Sequence, residues 1–335
     1  MSNADKTYYS WIDWAKLFGI YLVIMGHGWL LDENWKMVLY SFHMPFFFLL
    51  SGLLFRYRPL TELLKNDWHR LIVPYLLMNL FFLFRSLVSP LTSGSLTLNY
   101  VYSRAGAIIL GSGYPTHDFI PVCDTCWFIV ALFIMHVLTI TCRTKNSYLN
   151  WIIMLFFPLL AVLLQEVGFD LITPLNSAFL AIPFFYLGIS LQPYIDRIGR
   201  NDKVVIRTVI GGGILFLTCL LAKINGRVDV DLCNWGSNII LFYLIALLGS
   251  TGMILICSVF TYEVFFVRTI SKGTIFILGF NLYFIELCKT LVNYVPNYAH
   301  SNLLGCMWGA FIIIVSFFII RFLQRYFPIM LGNRK

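Results

Sequence analysis

Ten apolar stretches, each about the 17 to 25 residues needed to cross about 30 Å of hydrocarbon, constrain this chain more than any single motif does. They cover roughly 12–32, 38–55, 70–88, 126–142, 149–165, 174–192, 205–223, 236–257, 274–293 and 302–325. A backbone in lipid must satisfy its own N–H and C=O groups, and segments of this length do so as helices. The expected fold is an all-α integral membrane protein of about ten transmembrane helices, forming one domain over residues 1–335. A soluble domain is excluded: charged residues make up 12% of the chain and hydrophobic ones 59%, where a soluble domain has about a quarter charged. Residues 97–112 are too few and too polar at their ends to span, so an interfacial or re-entrant helix is expected there.

The basic residues set the orientation. Seventeen of them, including Lys6, Arg56, Arg58, Lys65, Arg70, Arg143, Arg197, Arg268, Lys272, Arg321, Arg334 and Lys335, fall on one side of this arrangement, against Lys36, Arg104, Lys223 and Arg227 on the other. Cytoplasmic loops carry the excess of Lys and Arg, so both termini are expected in the cytoplasm. The net charge of +8 is thereby a topology signal, and no nucleic-acid partner is expected. The N-terminus lacks a basic region and a cleavage site, so the first helix is expected to be retained. Cys123 and Cys126 form a CxxC without a second pair or a His at ligand spacing, and no metal site is expected.

Asp13, Lys16, His27 and His43 lie within the first two apolar stretches. An ionisable group in hydrocarbon costs at least about 2.5 kcal/mol, so such residues mark candidate functional positions. Lys16 and His27 are eleven residues apart, which at about 100° per residue is three turns plus about 20°. They share one helix face, about 16 Å apart along the axis. A neutral imidazole takes a proton from a hydroxyl as that oxygen attacks a carbonyl, which makes His27 a candidate general base. Asp13, three residues before Lys16, is placed to orient it. His43 lies close to Pro45, where a kink can open a cavity.

These residues carry a resemblance. The stretch IDWAKLFGIYLVIMGH followed by FHMPFFFLLSG resembles the opening signature of the membrane acyltransferase family 3, the O-acetyltransferases of bacterial cell-surface sugars. In that family a basic residue, ten intervening residues and a His recur in the first helix, a spacing met here by Lys16 and His27 with Lys where many members have Arg. RLIVPYL (70–76), CWFIVALF (126–133), FFYLGISL (184–191) and LGFNLYFIEL (278–287) follow in the family's order. The resemblance implies an acyltransferase of the bacterial inner membrane that takes an acyl group, acetyl by family habit, from cytoplasmic acyl-coenzyme A. The acceptor would be a hydroxyl of a cell-envelope glycan or lipid-linked sugar. The donor is a co-substrate, and no tightly bound cofactor is expected.

On this reading His27, Asp13, Lys16 and His43 form the catalytic group, and Lys16, Arg70, Arg56 and Arg58 bind the donor. Glu286, Trp127, Tyr283 and Asn281 face the acceptor. Two positions depart from the family pattern: Asp67 stands where a second Arg is common, and Glu286 where a His is common. Glu286 and Lys289 are spaced to pair. Some relatives carry an appended esterase-like domain, and none is expected here. A transporter or flippase using the same intramembrane charges as a substrate or proton path is the competing reading, and coenzyme A binding discriminates the two. Monomer and homo-oligomer both remain open.

Overall fold

The computed structural model describes residues 8–111, 119–167, 173–200, 203–292 and 301–333. Lys6, Arg334 and Lys335 of the orientation count lie outside them. The described residues form helices joined by turns and loops. It runs α1 (Ser10–His27), α2 (Glu33–Tyr40), α3 (His43–Leu53), α4 (Leu60–Asp67), a π-helical turn (Trp68–Ile72), α5 (Val73–Thr92) and α6 (Leu98–Leu110). A 3₁₀ turn (Asp124–Cys126) then leads into α7 (Trp127–Thr141), α8 (Ser147–Glu166), α9 (Thr173–Leu191), α10 (Ile195–Ile198) and α11 (Val204–Asn225). Last come α12 (Ile239–Cys257), α13 (Phe265–Lys272), α14 (Thr274–Val292) and α15 (Asn302–Tyr326).

Among the described residues nine helical stretches are long and apolar enough to cross a membrane, and they coincide with nine of the ten expected spans. The remaining one is α1, 18 residues long, whose apolar character is diluted by Asp13, Lys16 and His27. It ends at His27 rather than near residue 32, because Gly28 turns to extended backbone (φ −66°, ψ 139°). The imidazole thus sits at the mouth of the helix. The 97–112 segment is the 13-residue α6, about 20 Å long and too short to span. Outward faces are apolar: Val205, Val209, Phe216 and Ile224 of α11 are exposed, as befits a surface solvated by lipid.

Helix α3 is the centre of the bundle, with ten of its eleven residues buried. A helix apolar on every side packs on every side. It touches α9 through two glycines. A Cβ on Gly52 would lie 1.9 Å from the Phe185 carbonyl oxygen, and one on Gly188 would lie 2.1 Å from that of Leu49. Backbone therefore meets backbone, and the SG of FFFLLSG and the G of FFYLGISL are paired halves of one crossing.

The turn at 68–72 also has a local cause. Pro74 lacks an N–H and cannot bond to the Arg70 carbonyl four residues back, so the helical ladder is interrupted as RLIVPYL begins. Gly332, in the left-handed region at φ +70°, packs onto the exposed Arg70 backbone; a Cβ there would lie 2.6 Å from the Arg70 carbonyl oxygen.

Candidate active site

Helix α1 runs past two cavities. The larger, about 590 Å³, opens at the basic end of the bundle and is lined by Lys16 and Ile20 of α1, Phe47 and Leu50 of α3, Arg56, Arg58, Asp67, Arg70, His136 and Lys272. The smaller, about 290 Å³, lies toward the other end and is lined by Val23 and His27 of α1, Tyr40, His43 and Met44, Asp124 and Trp127, Asp229 and Asp231. Ile20 and Val23 are one turn apart, as are Phe47 and Met44, and Leu278 of α14 lines both cavities. Only a thin apolar wall separates them.

In the larger cavity the expected cations do assemble. Arg58 pairs with Glu62 at 3.2 Å. Among the described residues the side chains of Lys16, Arg56, Arg70 and Lys272 have no carboxylate within ion-pair distance. Asp13 does not pair with Lys16: its two oxygens accept hydrogen bonds from the hydroxyls of Tyr8 and Ser271, each at 2.5 Å. Those bonds tie the start of α1 to α13 and leave the Lys16 ammonium free for an anion. Outside the spans, burial and the Asp13 carboxylate together push the Tyr8 hydroxyl up, so it stays a donor.

The smaller cavity gathers side chains from six segments: α1, α2, α3, the 3₁₀ turn with α7, the loop between α11 and α12, and α14. The turn after His27 brings α2 back along α1, so the Tyr40 hydroxyl lies 3.0 Å from His27 Nδ1. A break at Ser41 and Phe42 then starts α3 with His43, whose Nδ1–H donates to the Leu39 carbonyl at 2.7 Å. That bond fixes the tautomer: in the neutral ring, Nε2 of His43 is the basic nitrogen. The Tyr40 ring stacks edge-on to both imidazoles, at 5.6 and 5.0 Å between centroids, and the Arg227 guanidinium sits 5.6 Å from its centre.

The loop between α11 and α12 closes this cavity. Buried Asn225 organises it, donating to the Trp235 carbonyl at 2.7 Å and accepting from the Asn238 N–H at 3.0 Å, while Asp229 and Asn234 exchange backbone bonds. Burial pushes the Asp229 carboxyl up. Burial, then Asp229 and Asp124, push Asp231 up to about 8, and its Oδ1 is buried without a hydrogen-bond partner among the described residues.

A stability consequence follows with a definite sign. A carboxyl whose folded value exceeds the unfolded value of about 3.9 holds its proton in the folded state. The stability this gives is complete below about pH 4 and lost as pH rises toward 8. Asp231→Asn, permanently neutral, should therefore gain on wild type with rising pH, by up to about 4 kcal/mol between about pH 5 and about pH 9, at about 1.4 kcal/mol per pH unit until the folded value is reached. Melting curves of both proteins at the two pH values check this; a constant difference would mean that the carboxyl ionises normally.

The expected site residues are thus divided between the two cavities. Lys16, Arg56, Arg58 and Arg70 meet in one, His27, His43 and Trp127 in the other. Glu286, Tyr283 and Asn281 line neither. Glu286 bonds to Arg85 at 3.3 Å, not to Lys289, and Arg85 also lies over the Tyr283 ring at 5.0 Å. Asn281 is fully buried, with both side-chain polar atoms unpartnered among the described residues. Tyr40, Asp124, Asp229 and Asp231 were not anticipated; the signal in the sequence is the pair of acids in VDVDL beside a span. The paired Asp67 and His136 were not anticipated either. Cys123 and Cys126 are buried free thiols with their sulfurs 2.6 Å apart.

A phosphate-sized anion fits the chemistry of the basic cavity, and a hydroxyl approaching an imidazole fits that of the other. A family model described as an acyltransferase domain, acyltransferase family 3, matches residues 9–325. No curated protein and no solved structure matches the chain. With a match over nearly its whole length, and Lys16 and His27 set along one helix between the two cavities, the chain belongs to the membrane acyltransferase family 3.

Proposed function

We propose that the protein moves an acyl group, acetyl in the first instance, from acyl-coenzyme A in the basic cavity to a hydroxyl of a cell-envelope glycan or lipid-linked sugar in the smaller one. The observation that carries this reading is the back-to-back arrangement of the two cavities along α1, with Lys16 in one and His27 in the other. The donor's phosphates sit among Lys16, Arg56 and Arg70, whose cationic groups suit phosphate oxygens. Its pantetheine arm, comparable in length to the roughly 16 Å rise from Lys16 to His27, carries the thioester past Ile20 and Phe47. On this reading the membrane is the bacterial inner membrane and the basic end faces the cytoplasm, an orientation that the excess of Lys and Arg in its loops supports.

His27 acts as general base. With Nδ1–H donated to the Tyr40 oxygen, Nε2 accepts the proton of the acceptor hydroxyl as that oxygen bonds to the thioester carbonyl carbon. The carbon–sulfur bond then breaks, the electron pair leaves on sulfur, and the proton passes to the departing thiolate. His43, with Nδ1 held by Leu39, and Trp127 border the same space and position the acceptor.

The test is thermal stability of the detergent-purified protein with acetyl-coenzyme A. A ligand that binds only the folded state at about 100 times its Kd adds about 2.7 kcal/mol, which raises the melting temperature by several degrees. Lys16→Ala should weaken binding about 10- to 100-fold, the value of a charged hydrogen bond, and shrink that shift. No shift in wild type at millimolar coenzyme A would remove the donor from this cavity.

A further inference from the structure

The basic cavity contains an apparent contradiction. Five of its lining side chains, Lys16, Arg56, Arg58, Arg70 and Lys272, are basic, and one, Asp67, is a carboxylate. Asp67 ends α4 immediately before the π-helical turn that carries Arg70. Such turns recur at functional sites. It is 3% exposed, and its Oδ2 accepts a hydrogen bond from Nδ1–H of His136 on α7 at 2.7 Å. The His136 ring is flanked by Phe55 and Phe185, at 5.0 and 5.3 Å between centroids. Its Nε2 has no hydrogen-bond partner among the described residues, and the residue lines the cavity.

A lone carboxylate in a pocket for a polyanion repels the ligand. Paired with an imidazolium it does not: the two charges cancel, and Nε2–H becomes a further donor for a phosphate oxygen. We infer that His136, held by Asp67, is a donor-binding residue of the basic cavity, engaging a phosphate of the donor in its protonated form. This rests on the proposed placement of coenzyme A there. Affinity then falls as pH rises, because loss of the His136 proton both withdraws the donor hydrogen and leaves the Asp67 charge uncompensated.

The surroundings narrow what else could produce such a dependence. The five basic side chains are unchanged in every variant compared with wild type. On α4 and its continuation, Glu62 is paired with Arg58, and Lys65 and His69 are the other ionisable groups. Tyr57 stacks on Phe55 and lies under Arg143, and α9 contributes Tyr186 beside Phe185. Of these, His69 is the other imidazole, the side-chain type that serves as a switch in the tested pH range.

The experiment measures coenzyme A affinity of the detergent-purified full chain at about pH 5.5 and about pH 8.5, which bracket imidazole protonation. Asp67→Asn, His136→Gln and His69→Gln are compared with wild type. The ligand's own phosphate titration is common to all four and cancels when each variant is compared with wild type at one pH. The charge change should weaken wild-type binding by about tenfold more at the higher pH than is seen in the variants of the pair. Asp67→Asn should bind more tightly than wild type at the higher pH. His136→Gln should bind weakly at both, and His69→Gln should keep the wild-type profile. In wild type alone, titration calorimetry in two buffers of different ionisation enthalpy should show net proton uptake on binding at about pH 7.5, which requires no variant to fold. Parallel profiles for wild type, Asp67→Asn and His136→Gln, or binding without proton uptake, overturn the inference and leave the donor cavity standing. Absence of binding to wild type at either pH overturns that cavity assignment and the inference with it.

Discussion

His27→Ala is expected to lower acyl transfer about 10²- to 10⁴-fold, the usual contribution of a positioned general base, while coenzyme A affinity changes by less than about twofold. The split follows from the geometry. His27 lines the smaller cavity and none of the five cations of the basic one does, so a thermal shift with coenzyme A should survive where turnover is lost. His27 is half-buried at the end of α1, so its truncation removes few packing contacts, and a folded variant is expected. Tyr40→Phe isolates the partner, since it keeps the ring stacked on both imidazoles and deletes the oxygen 3.0 Å from Nδ1. It should cost less than His27→Ala, because the proton acceptor remains and only its orientation is loosened. Equal loss of coenzyme A binding and turnover in His27→Ala would show that the two cavities are not functionally separate.

A comparably large effect, on folding rather than chemistry, is expected at the crossing of α3 and α9. Gly52→Ala places a methyl 1.9 Å from the Phe185 carbonyl oxygen and 2.8 Å from its carbonyl carbon, and Gly188→Ala places one 2.1 Å from the Leu49 oxygen and 2.7 Å from the Leu53 nitrogen. No rotamer relieves a Cβ, and the obstructing atoms are backbone, so the helices must part by more than about 1 Å. Overpacking that flexible side chains absorb costs about 1–3 kcal/mol; here the cost should exceed that range, and a helix buried on all sides loses contacts on its other faces as it moves. Each variant should fail to give a monodisperse protein in detergent or melt at least several degrees lower. Gly212→Ala and Gly213→Ala are the controls. A Cβ at either meets nothing within 4 Å, and the helical preference for Ala over Gly, about 1 kcal/mol, should leave them neutral or slightly stabilised. Because α3 also carries His43, a folded Gly52→Ala should lose activity as well.

The lengths and order of the spans follow from local composition, since hydrocarbon thickness sets the number of apolar residues a helix needs. The alignment of Lys16 with His27 is legible for a similar reason: both lie on one helix, and helical geometry fixes their separation. Arg70 was legible through motif order, whereas Arg56 and Arg58 were legible as basic residues of a cytoplasmic loop. Partnerships between distant segments were not. Helical spacing paired Asp13 with Lys16 and Glu286 with Lys289, and in each case a residue from another helix took the carboxylate: Ser271 for Asp13 and Arg85 for Glu286.

Sequence by itself determined that the chain is an all-helical membrane bundle, where its spans fall, and that a cation and an imidazole share one face of α1. Tertiary structure alone decided that the Asp13 carboxylate is occupied and the Lys16 ammonium free, and that Asp67 meets His136. It also decided that a loop between α11 and α12 brings Asp229 and Asp231 to His27. The physical reason is the range of the forces involved. Periodicity and hydrophobic length are set by neighbours along the backbone, whereas ion pairs and cavity walls are set by which helices pack together, and backbone contacts such as Gly52 against Phe185 fix that packing from positions far apart in the chain.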